Sequence, residues 1–122
     1  MRYARFGCFR AGIAPAYLVD AALADRPWSR MRGLLGRPAP HPGCGLLISP
    51  CGSVHTLGMA YPIDVVFLDP SSGGLRVLHV EHRVPAGRFR VHARGASVVM
   101  EFADGEAARI GVAEGDRFVR LD

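Results

Sequence analysis

The apolar positions change their period about a third of the way along the chain. From residue 45 onward they come in short runs, separated by Gly, Pro and Ser, that fit strands. Residues 45–49 (GLLIS) form a short buried run ended by Pro50. Residues 53–57 (SVHTL) and 63–69 (IDVVFLD) read as two strands of a hairpin around GMAYP, and 70–74 (PSSGG) as a turn. Residues 75–84 alternate, with Leu75, Val77, His79 and Glu81 on one side and Arg76, Leu78, Val80 and His82 on the other. Residues 95–103 suit another strand, 104–111 about one helical turn closed by Gly111, and 115–121 a last strand.

Before residue 45 the pattern is less regular. Residues 16–24 suit a strand, although their alanines keep a helix open. Residues 26–37 suit one short helix, with Trp28, Met31, Leu34 and Leu35 at i, i+3, i+6 and i+7 and a stop at Gly33 and Gly36. Residues 38–45, with three prolines and two glycines, form a loop. Residues 1–15 show no clear period and read as a loose arm ahead of a single domain, 16–122. About six or seven short strands, one or two short helices and no long βαβ unit predict a mainly β fold. The expected form is a small antiparallel barrel or a jelly-roll-like sandwich.

Composition narrows the chemistry. The chain has 122 residues, and all fifteen basic ones are arginine. Without lysine there is neither a Schiff-base amine nor a P-loop lysine. The apolar runs fall far short of the roughly 20 residues that span a bilayer, and no signal-like run opens the chain, so a cytoplasmic protein with no membrane span is expected. A net charge of +4 is modest, and only Phe89 interrupts the basic run, which argues against nucleic acid as a partner. If 45–50 is extended, Cys44 and Cys51 sit roughly 20 Å apart, too far for a disulfide unless the segment folds back. Cys51, His55, His79, His82 and His92 lack metal-motif spacing, so neither a metal nor a cofactor is predicted.

Two constellations remain. In the hairpin, His55 would face Asp64, with Ser53 on the face of His55 and Thr56 opposite Ile63. A carboxylate beside an imidazole would suit acid–base work, making His55 and Asp64 the catalytic candidates. The plainer reading has Asp64 accept backbone N–H groups and pin the turn. In residues 81–94, Arg83, Arg88, Arg90 and Arg94 could seat an anion. They could equally form a solvated face, neutralised by the acidic residues of 101–116.

In order along the chain, residues 30–36 (RMRGLLG), 45–48 (GLLI), 62–69 (PIDVVFLD), 99–105 (VMEFADG) and 115–116 (GD) resemble DUF192, also called UPF0127. This is an uncharacterised family of bacteria and archaea, and the resemblance spans roughly residues 17–121. It implies a compact, mostly β domain and no known reaction. Many relatives look like Trp-Met-Lys-Asn-Thr where this chain has residues 55–59, so chemistry that depends on His55 would not be common to the family. Asp64 lies in the part both versions share.

The expected function is binding of an anionic small molecule or a protein partner through Ser53, His55, Thr56, Asp64, Arg83, Arg88, Arg90 and Arg94. A hydrolase or isomerase using a His55–Asp64 pair is the first alternative. An assembly subunit without a small-molecule site is the second.

Overall fold

The computed structural model describes residues 2–10, 12, 14–71 and 73–122. In chain order its elements are β1 (Tyr3–Phe9), β2 (Tyr17–Ala24), α1 (Pro27–Arg32), β3 (Cys44–Ile48), β4 (Ser53–Val54), β5 (Ile63–Ser71), β6 (Gly74–Val84), β7 (Val91–His92), β8 (Val98–Ala103), α2 (Glu106–Ile110) and β9 (Arg117–Arg120). Seven strands close into a barrel in the order β1-β2-β3-β8-β5-β6-β9, and β9 pairs back onto β1. Closure leaves no barrel strand with an unpaired edge. Strands β2 and β3 run parallel, joined by a crossover that contains α1, and the other barrel neighbours are antiparallel. Strands β4 and β7 form a small sheet of their own. Of the two expected forms, this is the barrel.

Side chains alternate between two cores. Phe6, Cys8, Val19, Val66, Met100, Phe102 and Phe118 fill the interior, and α2 adds Ala107 and Ile110. A second cluster lies on the outside of β3, β8 and β5, where Leu46, Ile48, Val65, Phe67 and Val99 pack with Leu34 from the crossover and Val91 from β7. Strands β5 and β8 are therefore buried on both faces, which is why their sequences read as unbroken apolar runs rather than as alternation. The crossover and the β4/β7 flap cover the outer face.

Three expectations change. The predicted arm contains β1, whose inward Ala4, Phe6 and Cys8 alternate with outward Tyr3 and Arg5. Its small, mixed inward residues hide the period. Met1, Ala11 and Ile13 of that arm, and Ser72 of the predicted turn, lie outside the described residues. The alternation expected along 75–84 is broken by register shifts opposite Ile63/Val65 and Phe67/Leu68. One consequence is that both Val77 and Val80 pack with the interior.

The largest change concerns the hairpin. Strand β4 ends at Val54 and pairs with β7, not β5. The cause is Thr56, which is fully buried and spends every polar group on residues 85–88. Its hydroxyl donates to the Pro85 carbonyl at 2.7 Å and accepts from the Arg88 N–H at 2.9 Å. Its backbone N–H donates to the Arg88 carbonyl, and its own carbonyl accepts from the Gly87 N–H, both at 2.8 Å. Residues 53–57 are thereby held by the β6–β7 connection. His55 does not face Asp64.

Asp64 is 0% exposed. One carboxylate oxygen accepts the Arg83 N–H and the other the Ala107 N–H, each at 2.8 Å. The first bond holds Arg83 at a φ of 52°, in the left-handed region, beside the β6 irregularity. The second satisfies an otherwise unpaired amide at the start of α2. One side chain thus ties together β5, β6 and α2.

Asp64→Ala is expected to lower the unfolding free energy by about 3 kcal/mol, since two amides lose their acceptor. Asp64→Asn, which keeps one acceptor, is expected to lose less; urea denaturation reads both. Thr56→Val, nearly isosteric, is expected to cost about 1–2 kcal/mol in the same measurement.

Candidate functional site

Strand β8 is buried along most of its length, and a period of two sends Val98, Met100 and Phe102 to the interior and Val99 and Glu101 outward. Glu101 stands between Leu46 on β3 and Val65 on β5, its register partners, and is 3% exposed. The Leu34 backbone N–H donates to its carboxylate, while Oε1 is buried without a partner. Burial among apolar neighbours outweighs the one hydrogen bond and lifts the acid from 4.5 to about 7.

Gly33 roofs this carboxyl. Helix α1 ends there, with the Gly33 N–H donating to the Ser29 carbonyl at 3.0 Å, and the chain turns at φ 55°, ψ −130°. A Cβ at this position would lie 3.1 Å from Glu101 Oε1. Both the φ and the close approach require glycine.

Glu101 lines a cleft of ≈ 230 Å³. Its α1 wall carries Arg30, its floor Ile48 and Glu101, and its flap wall Ser53, His55 and Met59. Arg30 donates through a terminal nitrogen to the Pro50 carbonyl at 3.2 Å, while its Nε is buried without a partner. No hydrogen bond or ion pair joins Arg30 to Glu101. On the flap, burial raises the Cys51 thiol and the Tyr61 hydroxyl, and the Glu101 charge raises both further. The Tyr61 hydroxyl donates to the Arg37 carbonyl at 2.7 Å, fastening the flap to the crossover. Two wider depressions, ≈ 580 Å³ beside Trp28 and ≈ 420 Å³ beneath Pro38 and His41, hold no unpartnered buried polar atom among the described residues.

The residues singled out from the sequence separate. Ser53 and His55 line the cleft and are exposed. Thr56 anchors the flap from within, and Asp64 belongs to the α2 end. Its carboxylate is used up by two amides, which removes the His55–Asp64 acid–base pair. Arg83 pairs with Asp104 at 3.1 Å, so the basic and acidic segments meet there. Arg88, Arg90 and Arg94 are exposed, and none of the four arginines lines the cleft. Trp28 and Met31, expected as the packed stripe of α1, are 62% and 74% exposed; Ser29 is the buried residue of that helix. Cys44 and Cys51 are free thiols. Glu101, Arg30 and Gly33 are not among the residues expected in the site, Gly33 being read only as a helix stop. The available signal was a lone carboxylate inside VVMEFA, with apolar residues two deep on each side.

The raised Glu101 acid fixes the sign of a pH effect. Between 4.5 and about 7 the folded chain holds a proton that the unfolded chain has lost. Stability therefore falls as pH rises through that window and levels off above it. Relative to Glu101→Gln, the wild-type chain is expected to lose about 3 kcal/mol between pH 5 and pH 8. Urea midpoints of both proteins across that range read it.

Comparison with known proteins places this site in context. The chain is 23% identical to a protein from Sinorhizobium meliloti proposed as a transcription regulator, with a TM-score of 0.83 over 98% of this chain and 94% of that one. It is 19% identical to a protein of unknown function from Novosphingobium aromaticivorans, with a TM-score of 0.80 over 95% and 84% of the two chains. At these identities the likeness is one of fold. No curated protein matches the chain. The DUF192 family model, described as "Uncharacterized ACR", matches residues 11–119. The chain belongs to the DUF192 family.

Proposed function

We propose that this protein binds a small anionic molecule in the cleft between α1 and the β4/β7 flap. One observation carries the reading: Glu101 and Arg30 line the same cleft, and each has a buried side-chain atom, Oε1 and Nε, without a partner. Buried polar groups without partners are uncommon and costly, and two on one cleft suit a polar ligand group between them. The surrounding charge favours an anion, since Arg30 and Arg32 border the cleft against the single carboxyl of Glu101. Ser53 and His55 keep their place in the site from the sequence reading, at its mouth. Arg88, Arg90 and Arg94 would act at longer range, by steering an anion towards the protein. The three free thiols fit a reducing, cytoplasmic setting.

A protein partner is the second reading, favoured by the exposure of Trp28 and Met31 on the helix that forms one cleft wall.

A thermal-shift series against small carboxylates, phosphates and nucleotides tests the first. At a ligand concentration of 100 Kd, stabilisation of about 2.7 kcal/mol is expected. His55→Trp, which narrows the mouth without disturbing the core, is expected to abolish the shift. No shift with any anion at millimolar concentration would overturn the reading.

A further inference from the structure

We infer that the ligand is a short monocarboxylate with an apolar tail, bound together with the proton of Glu101. This rests on the cleft being the ligand seat. The two polar atoms differ in kind: Arg30 Nε–H only donates, whereas Glu101 Oε1 donates when protonated and accepts when ionised. A ligand carboxylate meets both, one oxygen accepting the guanidinium N–H and the other the proton of the Glu101 acid. The acid proton is shared between two carboxyl groups and no bond to carbon changes. An ammonium ligand would satisfy ionised Glu101 but would face Arg30. A phosphate would have to draw on Arg32, Ser53 and His55 as well, whereas Met31, Leu34, Ile48, Val54 and Met59 of the lining are apolar. That lining suits a hydrocarbon tail. A cleft of ≈ 230 Å³ corresponds to about eight waters at ~30 Å³ each, which limits the acid to about six carbons.

The groups that face Glu101 are known from each neighbouring element. Helix α1 and its cap present Arg30 and Arg32, the flap presents Cys51, His55 and Tyr61, and the β3 and β5 neighbours Leu46 and Val65 are uncharged. Since Glu101 loses its proton at about 7, the carboxylate should bind to a ready-made acid at pH 6 and take up a proton from solution at pH 8. Affinity is then expected to fall about tenfold between these two values.

The test is calorimetric titration of the full chain with butyrate, n-butylammonium, n-butanol and inorganic phosphate. Measurements at pH 6 and pH 8 use buffers of different ionisation enthalpy. The expected result is butyrate binding that is about tenfold weaker at pH 8 and accompanied there by uptake of nearly one proton. Glu101→Gln, whose amide still donates, is expected to bind butyrate with no pH dependence. Arg30→Met and Arg30→Lys are both expected to weaken binding tenfold or more, with circular dichroism confirming their fold. Binding of phosphate in preference to butyrate, or butyrate binding that is flat in pH with no proton uptake, would overturn this inference and leave the anion cleft standing. Binding of n-butylammonium or butanol alone, or of none of the four, would overturn both.

Discussion

Val65, Val66, Phe67 and Leu68 are consecutive residues of one strand, and all four are fully buried. A strand sends successive side chains to opposite faces, so such a run needs a core on each side. The barrel interior supplies one. The other has to be built outside the barrel, and the crossover from β2 to β3 together with the β4/β7 flap is what builds it. The remaining architecture follows from this demand. The parallel β2/β3 step needs a long connection, and that connection carries Leu34 onto the outer core. The flap must be held down, and Thr56 and Tyr61 hold it. The cleft is where crossover and flap meet without closing completely.

Asp64 and Glu101 are the most deeply buried of the four buried carboxylates among the described residues, and their surroundings give them opposite characters. Asp64 sits where two backbone amides lack partners and satisfies both, so its charge is matched by donors and its work is structural. Glu101 sits on the outward face of the next strand, between two apolar neighbours, with one amide donor and one bare oxygen. Burial alone does not separate the two. The count of donors does: a carboxylate with a donor for each oxygen is part of the scaffold, whereas one with an open oxygen beside a cleft is available to a ligand.

Much of this fold can be read from the sequence, because β2, β3, β5, β6, β8 and β9 carry strong apolar runs or turn signals. The strand β1 could not be read, since Ala4, Phe6 and Cys8 give a weak inward row. The flap could not be read because its placement depends on Thr56 meeting residues some thirty positions later, which no local pattern encodes. That one misplacement paired His55 with Asp64 and drew attention to the wrong carboxylate. The Asp64 role as a backbone acceptor was nevertheless readable from its position at a turn-to-strand junction. For Glu101 the difficulty was a competing explanation. Seen with Asp104, Glu106, Glu114 and Asp116, it looked like one more member of an acidic segment that neutralises the arginine run, and the strand register is what turns it towards the outer core.

The roof over Glu101 makes a purely structural explanation of that residue hard to sustain. Gly33 adopts a conformation closed to other residues, and its missing side chain leaves room for Oε1 rather than for a hydrophobic contact. If the outer core merely needed filling, a leucine at 101 facing an ordinary helix end would bury more apolar surface and leave no oxygen unmatched. Instead the backbone of the crossover is drawn in close over a carboxyl. It offers that carboxyl a single N–H from Leu34 and leaves the second oxygen unmatched, on a residue that lines the same cleft as Arg30, whose Nε also lacks a partner. Residues 30–36 and 99–105, two of the segments by which the chain resembles its family, meet at this point. The open oxygen of Glu101 and the open nitrogen of Arg30 are two costs on the lining of one cleft, and its occupation would offset both.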